Sequence, residues 1–104
     1  MIDLGALKAQ RKLYEIKLED GSILHVKTPS QKMYVSMVNM SNIGNLNAIE
    51  QMDFVYEVCV DIFNNNTENR NFTKEEITEM FDFNIAAYII QDYFKEINET
   101  LGKS

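Results

Sequence analysis

The chain has 104 residues, of which 45% are hydrophobic and 25% are charged, and its formal net charge is −6. This length and composition predict one globular domain, and the acidic excess without a basic stripe argues against direct binding to nucleic acid. No apolar run approaches the roughly 18 residues of a membrane span, and the start of the chain lacks a signal-peptide pattern, so we expect a cytoplasmic protein without membrane contact.

Residues 12–104 are predicted to form one α+β domain, in which a β-hairpin over residues 12–27 is followed by about four helices. Residues 1–11 are expected to be a flexible lead-in. Apolar and charged residues alternate along the first strand, the apolar ones being Tyr14, Ile16 and Leu18. A two-stranded hairpin alone is marginal in water, so its apolar face must lie on helices or join the sheet of another chain.

The hairpin turn, residues 19–21, has the sequence EDG and allows two registers. A two-residue loop would place Leu24 and Val26 on the opposite face from Ile16. A three-residue loop instead pairs Ile16 with Leu24 and Tyr14 with Val26, so that all apolar residues share one face. Such loops favour a left-handed glycine at their third position, which this sequence supplies. We therefore predict the three-residue loop.

Helix boundaries are indicated by capping signals. The helices are predicted over residues of about 29–40, 46–63, 73–81 and 85–101. Thr28, which is followed by proline, suits the N-cap of the first helix. The second helix begins with Asn47 and Glu50 at the spacing of a capping box, and the third has the same box in Thr73 and Glu76.

The helix predicted over residues 46–63 is apolar around much of its circumference. Its main stripe consists of Ile49, Met52, Tyr56, Cys59 and Phe63. A helix with so much apolar surface is packed on two sides of a core or against another subunit.

Catalytic chemistry has few candidates in this sequence. The enzyme alternative is a small hydrolase that uses the only cysteine, Cys59, with the only histidine, His25. Such a dyad needs an exposed thiol in contact with the imidazole. The patterns instead place Cys59 inside a helix core and His25 on the outward face of the hairpin. We predict no enzymatic activity and no catalytic, cofactor or metal site.

Residues 65–76 lie between two predicted helices and have the length of a calcium-binding EF-hand loop. Polar residues fall at its first ligand positions and Glu76 falls at its closing position. However, Arg70 stands where that loop needs glycine for a sharp turn. The capping box of Thr73 and Glu76 explains the same pattern without a metal.

Apolar surface is the remaining functional candidate. The predicted interaction surface combines the hairpin face with one side of the second helix: Tyr14, Ile16, Leu18, Leu24, Val26, Phe54, Val58 and Ile62. Such a surface suits self-association or the wrapping of an elongated helical partner. The alternative is a compact monomer that buries all of these side chains.

The order of the elements resembles a known family. The start YEIKLEDGSILHVKTPSQKMY resembles the hairpin that opens small tail assembly chaperones of long-tailed bacteriophages and prophages. The end NFTKEEITEMFDFNIAAYIIQDYFKEI resembles their closing segment, in which a capped short helix precedes an amphipathic one. The likeness covers about residues 12–100 and lies in length, acidity and element order.

This resemblance implies a non-enzymatic function. Tail assembly chaperones bind and solubilise the tape measure protein, recruit the tail tube protein, and often form homo-oligomers. An alternative within the protein-binding class is an acidic phage-encoded inhibitor or DNA mimic that would compete with DNA for a basic host protein.

Overall fold

The computed structural model of the protein describes residues 1, 3, 4, 13–39 and 44–102. Over these ranges the elements are β1 (Tyr14–Lys17), β2 (Ile23–Val26), α1 (Gln31–Val38), α2 (Ala48–Asn64), α3 (Lys74–Met80) and α4 (Phe83–Gly102). This order confirms the predicted α+β fold. Most of the predicted lead-in lies outside the described residues. None of the described helices is both long and apolar enough to cross a membrane.

The hairpin has the register of the three-residue loop. Tyr14 lies opposite Val26 and Ile16 lies opposite Leu24 in an antiparallel pair. The turn is closed by the Gly21 N–H, which donates to the Leu18 carbonyl at 3.0 Å. Gly21 has a φ of 90°, a left-handed conformation that glycine adopts without steric cost. The prediction from the apolar pattern and the turn residues is therefore confirmed.

The outer edge of β2 is covered by the segment that follows α2. The Lys27 N–H donates to the Asn65 carbonyl at 2.8 Å, and the Thr67 N–H donates to the His25 carbonyl at 2.9 Å. An isolated bridge between Val26 and Asn66 completes this contact. The segment therefore acts as a short third strand, and it ties the hairpin to the end of α2.

Asn66 organises the loop between α2 and α3, and its polar side chain is buried. Its Nδ2 donates to the carbonyls of Phe63 and Arg70 at 2.7 and 2.9 Å. Its Oδ1 accepts from the N–H groups of Glu68 and Arg70, both at 3.0 Å. Burial of a carboxamide is tolerated here because its donors and acceptor are all used.

The N-cap of α1 differs from the prediction. Ser30, and not Thr28, caps the helix, since its hydroxyl accepts from the Met33 N–H at 3.3 Å. The reason is a tertiary contact: the Asn65 Nδ2 donates to the carbonyls of Lys27 and Thr28, each at 3.1 Å. Those carbonyls are therefore held by the α2 terminus, and the helix starts two residues later than expected.

The other helix starts follow local signals. Both predicted capping boxes are present, Asn47 with Glu50 and Thr73 with Glu76. Asp82 caps α4, because its Oδ1 accepts from the Ile85 N–H at 2.9 Å. That helix begins at residue 83, slightly before the predicted start at 85.

Helix α2 is the central element, which is one of the two arrangements that its apolar circumference predicts. It contacts α1, α3, α4 and β2. Its buried residues are Val55, Tyr56, Val58, Cys59, Ile62 and Phe63. The Phe63 ring lies 5.5 Å from that of Phe72 and 5.7 Å from that of Phe81, so α2 and the segments flanking α3 share an aromatic cluster.

Replacement of Asn66 should show how much the loop depends on this carboxamide. Asn66→Ala leaves the buried Phe63 carbonyl and the partly buried backbone groups of Arg70 without their partners, so we expect a loss of about 2–3 kcal/mol in the free energy of unfolding. Urea unfolding followed by circular dichroism measures this loss. The matched control is Asn71→Ala at an exposed position of the same segment. Equal stability of the two variants would contradict the role given to Asn66.

Candidate functional site

Four residues of the predicted interaction surface belong to the core of the monomer. Leu24, Val26 and Ile62 are 0% exposed and Val58 is 4% exposed. They are enclosed because β2 lies directly on α2 and the residue 65–67 segment covers its far edge. These four side chains are therefore corrected from a free surface to interior packing.

The remaining predicted residues are only partly covered. Tyr14, Ile16 and Leu18 of the β1 side, and Phe54 of α2, pack against the core without being enclosed by it. The Tyr14 hydroxyl donates to the Asp92 carboxylate at 2.7 Å, and burial together with this bond raises the pKa of Tyr14. Its ring meets that of Tyr93 edge-on, with centroids 5.2 Å apart. Tyr14 thus joins β1 to α4, and part of the apolar face of β1 is still open.

A groove of about 720 Å³ opens beside this exposed part of β1. Its floor includes Phe63 and Phe72. Its apolar walls come from the hairpin and from the junction of α3 and α4: Ile16, Leu18, Met80, Phe81, Ile85 and Ile89. The volume lies within the range of about 300–1,000 Å³ that is usual for ligand sites. The groove is therefore large enough to take apolar side chains from a partner.

The rim of the groove carries more negative than positive charge. Its acidic residues are Glu19, Asp20, Glu76 and Glu79, and its basic residues are Lys17 and Arg70. An apolar partner segment flanked by lysine or arginine would therefore match this rim better than one flanked by acidic residues.

The apolar stripe of α2 is exposed at the start of the helix and buried further along it. Ile49 is 79% exposed and Met52 is 46% exposed, whereas Tyr56 and Cys59 further along the same stripe are buried. Three apolar side chains of α1 are also exposed: Tyr34, Val35 and Val38. The helix predicted over residues 46–63 is thus central, but its first turns keep apolar surface in water.

Sequence reasoning missed Met80, Ile85 and Ile89 as lining residues of the groove. Ile85 and Ile89 stand four residues apart, a spacing that is typical of the core-facing stripe of a helix, yet Ile85 is 49% exposed. The available signal was the acidic cap at Asp82, which begins α4 directly after α3 and so forces a corner. The contact of that corner with the hairpin is tertiary and has no local signature.

His25 joins the outer face of the hairpin to the loop after α2. The carboxylate of Glu68 accepts from the His25 backbone N–H at 2.9 Å and lies 2.8 Å from the ring Nδ1. The backbone N–H and then the ring of His25 lower the pKa of Glu68 to about 2. Glu15 lies 3.5 Å from the other ring nitrogen. These partners give His25 a structural role at this position.

Cys59 does not form the dyad of the enzyme alternative. The side chain is fully buried, and its Sγ donates to the Ala86 carbonyl at 3.4 Å. Burial raises the pKa of this thiol to about 12, which suppresses the reactive thiolate. Since His25 is bound to carboxylates on the outer hairpin face, the two side chains have separate environments.

The proposed alternative of a calcium loop also lacks support in the geometry. Glu76 is used by the capping box with Thr73, and the amide of Asn65 binds the segment before α1. No group of three or more histidine, cysteine, aspartate or glutamate side chains within the described part of the chain could hold a metal ion.

No protein-family model, curated protein or solved structure matches this chain. The resemblance to tail assembly chaperones stays a prediction.

The hydrogen bonds to the Glu68 carboxylate predict a defined dependence of stability on pH. The folded pKa is about 2 against a reference of 4.5, so the carboxylate contributes stability above pH 4.5, and this contribution is lost as the pH falls towards 2. Glu68→Gln should therefore be less stable than the wild type at neutral pH and equal to it near the folded pKa. Urea unfolding over this range tests the sign. A difference independent of pH would contradict it.

The environment of Cys59 predicts an unreactive thiol. Native protein at mildly alkaline pH should react with a thiol reagent such as Ellman's reagent far more slowly than unfolded protein, because the sulfur is enclosed and its pKa is about 12. Absorbance measures the reaction in each state. Rapid reaction of the native protein would reopen the nucleophile interpretation.

Proposed function

We propose that the protein is a non-enzymatic tail assembly chaperone, which binds the tape measure protein and keeps it soluble during tail assembly. The binding site in this proposal is the groove between β1 and the α3–α4 corner. It would hold apolar side chains from one stripe of an amphipathic helix, as helix-in-groove interactions do.

The observation that carries this proposal is the groove of about 720 Å³ whose apolar walls stay open in the folded chain. A concave, largely apolar surface with polar groups at its rim is the form that most binding sites take. Exposed apolar residues at the start of α2 add to the surface available for an elongated client. The buried environment of Cys59 leaves the hydrolase alternative without a nucleophile.

Co-expression with a tape measure fragment from the same phage or prophage tests the proposal. The wild type should raise the soluble fraction of the fragment. Ile85→Asp places a charge on the groove wall at a half-exposed position, so it should abolish this effect while the domain stays folded. The matched control is Tyr88→Asp on the same helix, at a residue that is 66% exposed and does not line the groove.

The outcomes separate the components of the proposal. No increase in solubility with the wild type would reject the chaperone function, and equal loss in both variants would reject the groove as the site. High salt gives a further test, because at about 1 M the Debye length is only about 3 Å and attraction between charges is screened. Apolar binding should survive such salt, whereas binding that vanishes would favour the acidic inhibitor or DNA mimic.

A further inference from the structure

The outer edge of β1 carries free backbone groups. In an antiparallel ladder, alternate residues bond to the partner strand and those between them point away from it. The Leu18 N–H donates to the Ser22 carbonyl at 2.8 Å, so Ile16 is also turned towards β2, and the backbone groups of Glu15 and Lys17 face outwards. Within the described residues, these outward groups have no hydrogen-bond partner.

The opposite edge of the hairpin is closed by the chain itself. The outward N–H of His25 bonds to the Glu68 side chain and its carbonyl accepts from Thr67. The outward N–H of Lys27 bonds to the Asn65 carbonyl. Among the described strands, β1 therefore offers the open edge and β2 does not.

The open edge also leaves the apolar face beneath it incompletely covered. Tyr14 and Ile16 are half-buried, whereas their cross-strand partners Val26 and Leu24 are 0% exposed. The two members of each pair share one face of the hairpin, so the difference arises from position. β2 has cover on its far side, whereas no described residue bonds to the far side of β1.

We propose that β1 pairs with β1 of a second copy of this chain about a two-fold axis at Ile16. The two antiparallel hairpins would then form a four-stranded sheet. In this register Glu15 lies directly opposite the partner's Lys17, and the symmetry of the pair repeats that contact on the other side of the axis. Both residues belong to hydrogen-bonded pairs, which exchange two N–H···O bonds each.

Charge selects this register over its neighbours. A two-fold axis at Glu15 would set that carboxylate opposite its own copy, and an axis at Lys17 would set two ammonium groups opposite each other. Like charges directly opposite are destabilising, whereas opposite charges stabilise a cross-strand pair. Charged edge strands usually deter pairing, but here the two signs are spaced so that the strand complements itself.

The pairing would also cover apolar surface that the described fold leaves open. Tyr14, Ile16 and Leu18 of the two copies would adjoin on the same side of the new sheet, so each copy would shield the half-buried side chains of the other.

Charge reversal tests the register through the oligomeric state. Sedimentation velocity over a wide range of protein concentration should show a monomer–dimer equilibrium for the wild type. Glu15→Lys and Lys17→Glu each replace two favourable pairs by two unfavourable ones, so each should weaken dimerisation at least about tenfold. The double variant should recover it. Lys32→Glu on exposed α1 is the control and should dimerise like the wild type.

Mixing the two single variants gives the most specific test. A Glu15→Lys copy and a Lys17→Glu copy oppose unlike charges at both positions, so they should form a heterodimer although neither forms a homodimer. A wild type that stays monomeric at the highest attainable concentration would overturn the proposal. A mixture and a double variant that both stay monomeric, while Lys32→Glu dimerises, would overturn the register.

Disulfide formation gives an independent measure of geometry. The proposed axis places the two copies of residue 16 in a non-hydrogen-bonded pair with Cα atoms about 4.5 Å apart, within the range of a disulfide. Ile16→Cys should therefore form a covalent dimer on mild oxidation. Ile23→Cys should not, because three strand spacings of about 4.8 Å would separate its two copies. Equal cross-linking of both variants would contradict the arrangement.

The test of this edge is separate from the test of the groove. Ile85→Asp leaves the β1 backbone and its charges unchanged, so it should dimerise like the wild type even where it loses client binding. Failure of the dimer and failure of the chaperone function are thus distinguishable.

Discussion

The attachment of the hairpin to the end of α2 is the constraint on which this fold depends. A two-stranded hairpin has too little buried area to stand alone. Asn65 and Thr67 bond to the backbone of β2 and of the segment after it, and Asn66 holds their loop in shape. Because this contact holds β2 against α2, Leu24 and Val26 lie in the core. Without it, neither the groove nor the position of α1 would be defined.

Because of this contact, the two strands of the hairpin are covered to different extents. β2 is enclosed on its face and along its edge, whereas β1 is covered by α4 on part of its face only. The Tyr14 hydroxyl bond to Asp92 anchors β1 at one end. Towards the turn, Ile16 and Leu18 pack against the core and form one wall of the groove. The open apolar surface of this protein is thus what the core leaves uncovered.

Local features of the fold could be predicted from the sequence. The register followed from the requirement that Ile16 and Leu24 share a face, and Gly21 supplied the turn. Capping boxes are read from residues three apart, so the boxes that begin α2 and α3 could be predicted. The apolar circumference of α2 predicted packing on two sides or against another subunit, and the structure shows the first. Each of these inferences rests on neighbours in the chain.

Tertiary features of the candidate site could not be predicted in that way. Thr28 has a sound local signal for an N-cap, but Asn65, distant in sequence, binds its carbonyl. The alternation along β2 shows that Val26 faces inwards, but not whether helices or another subunit cover it. Ile85 has the spacing of an apolar helical stripe, yet its side chain is about half exposed, because the α3–α4 corner turns it towards the hairpin.

The closed edge of β2 has a consequence for the behaviour of this protein at high concentration. Fibrils that grow by strand addition need two open sheet edges on every molecule, so that each added molecule offers an edge to the next one. Here residues 65–68 occupy one of the two edges within the same molecule. Stacking by this route ends after a single addition, and the acidic chain is thereby protected from open-ended cross-β polymerisation.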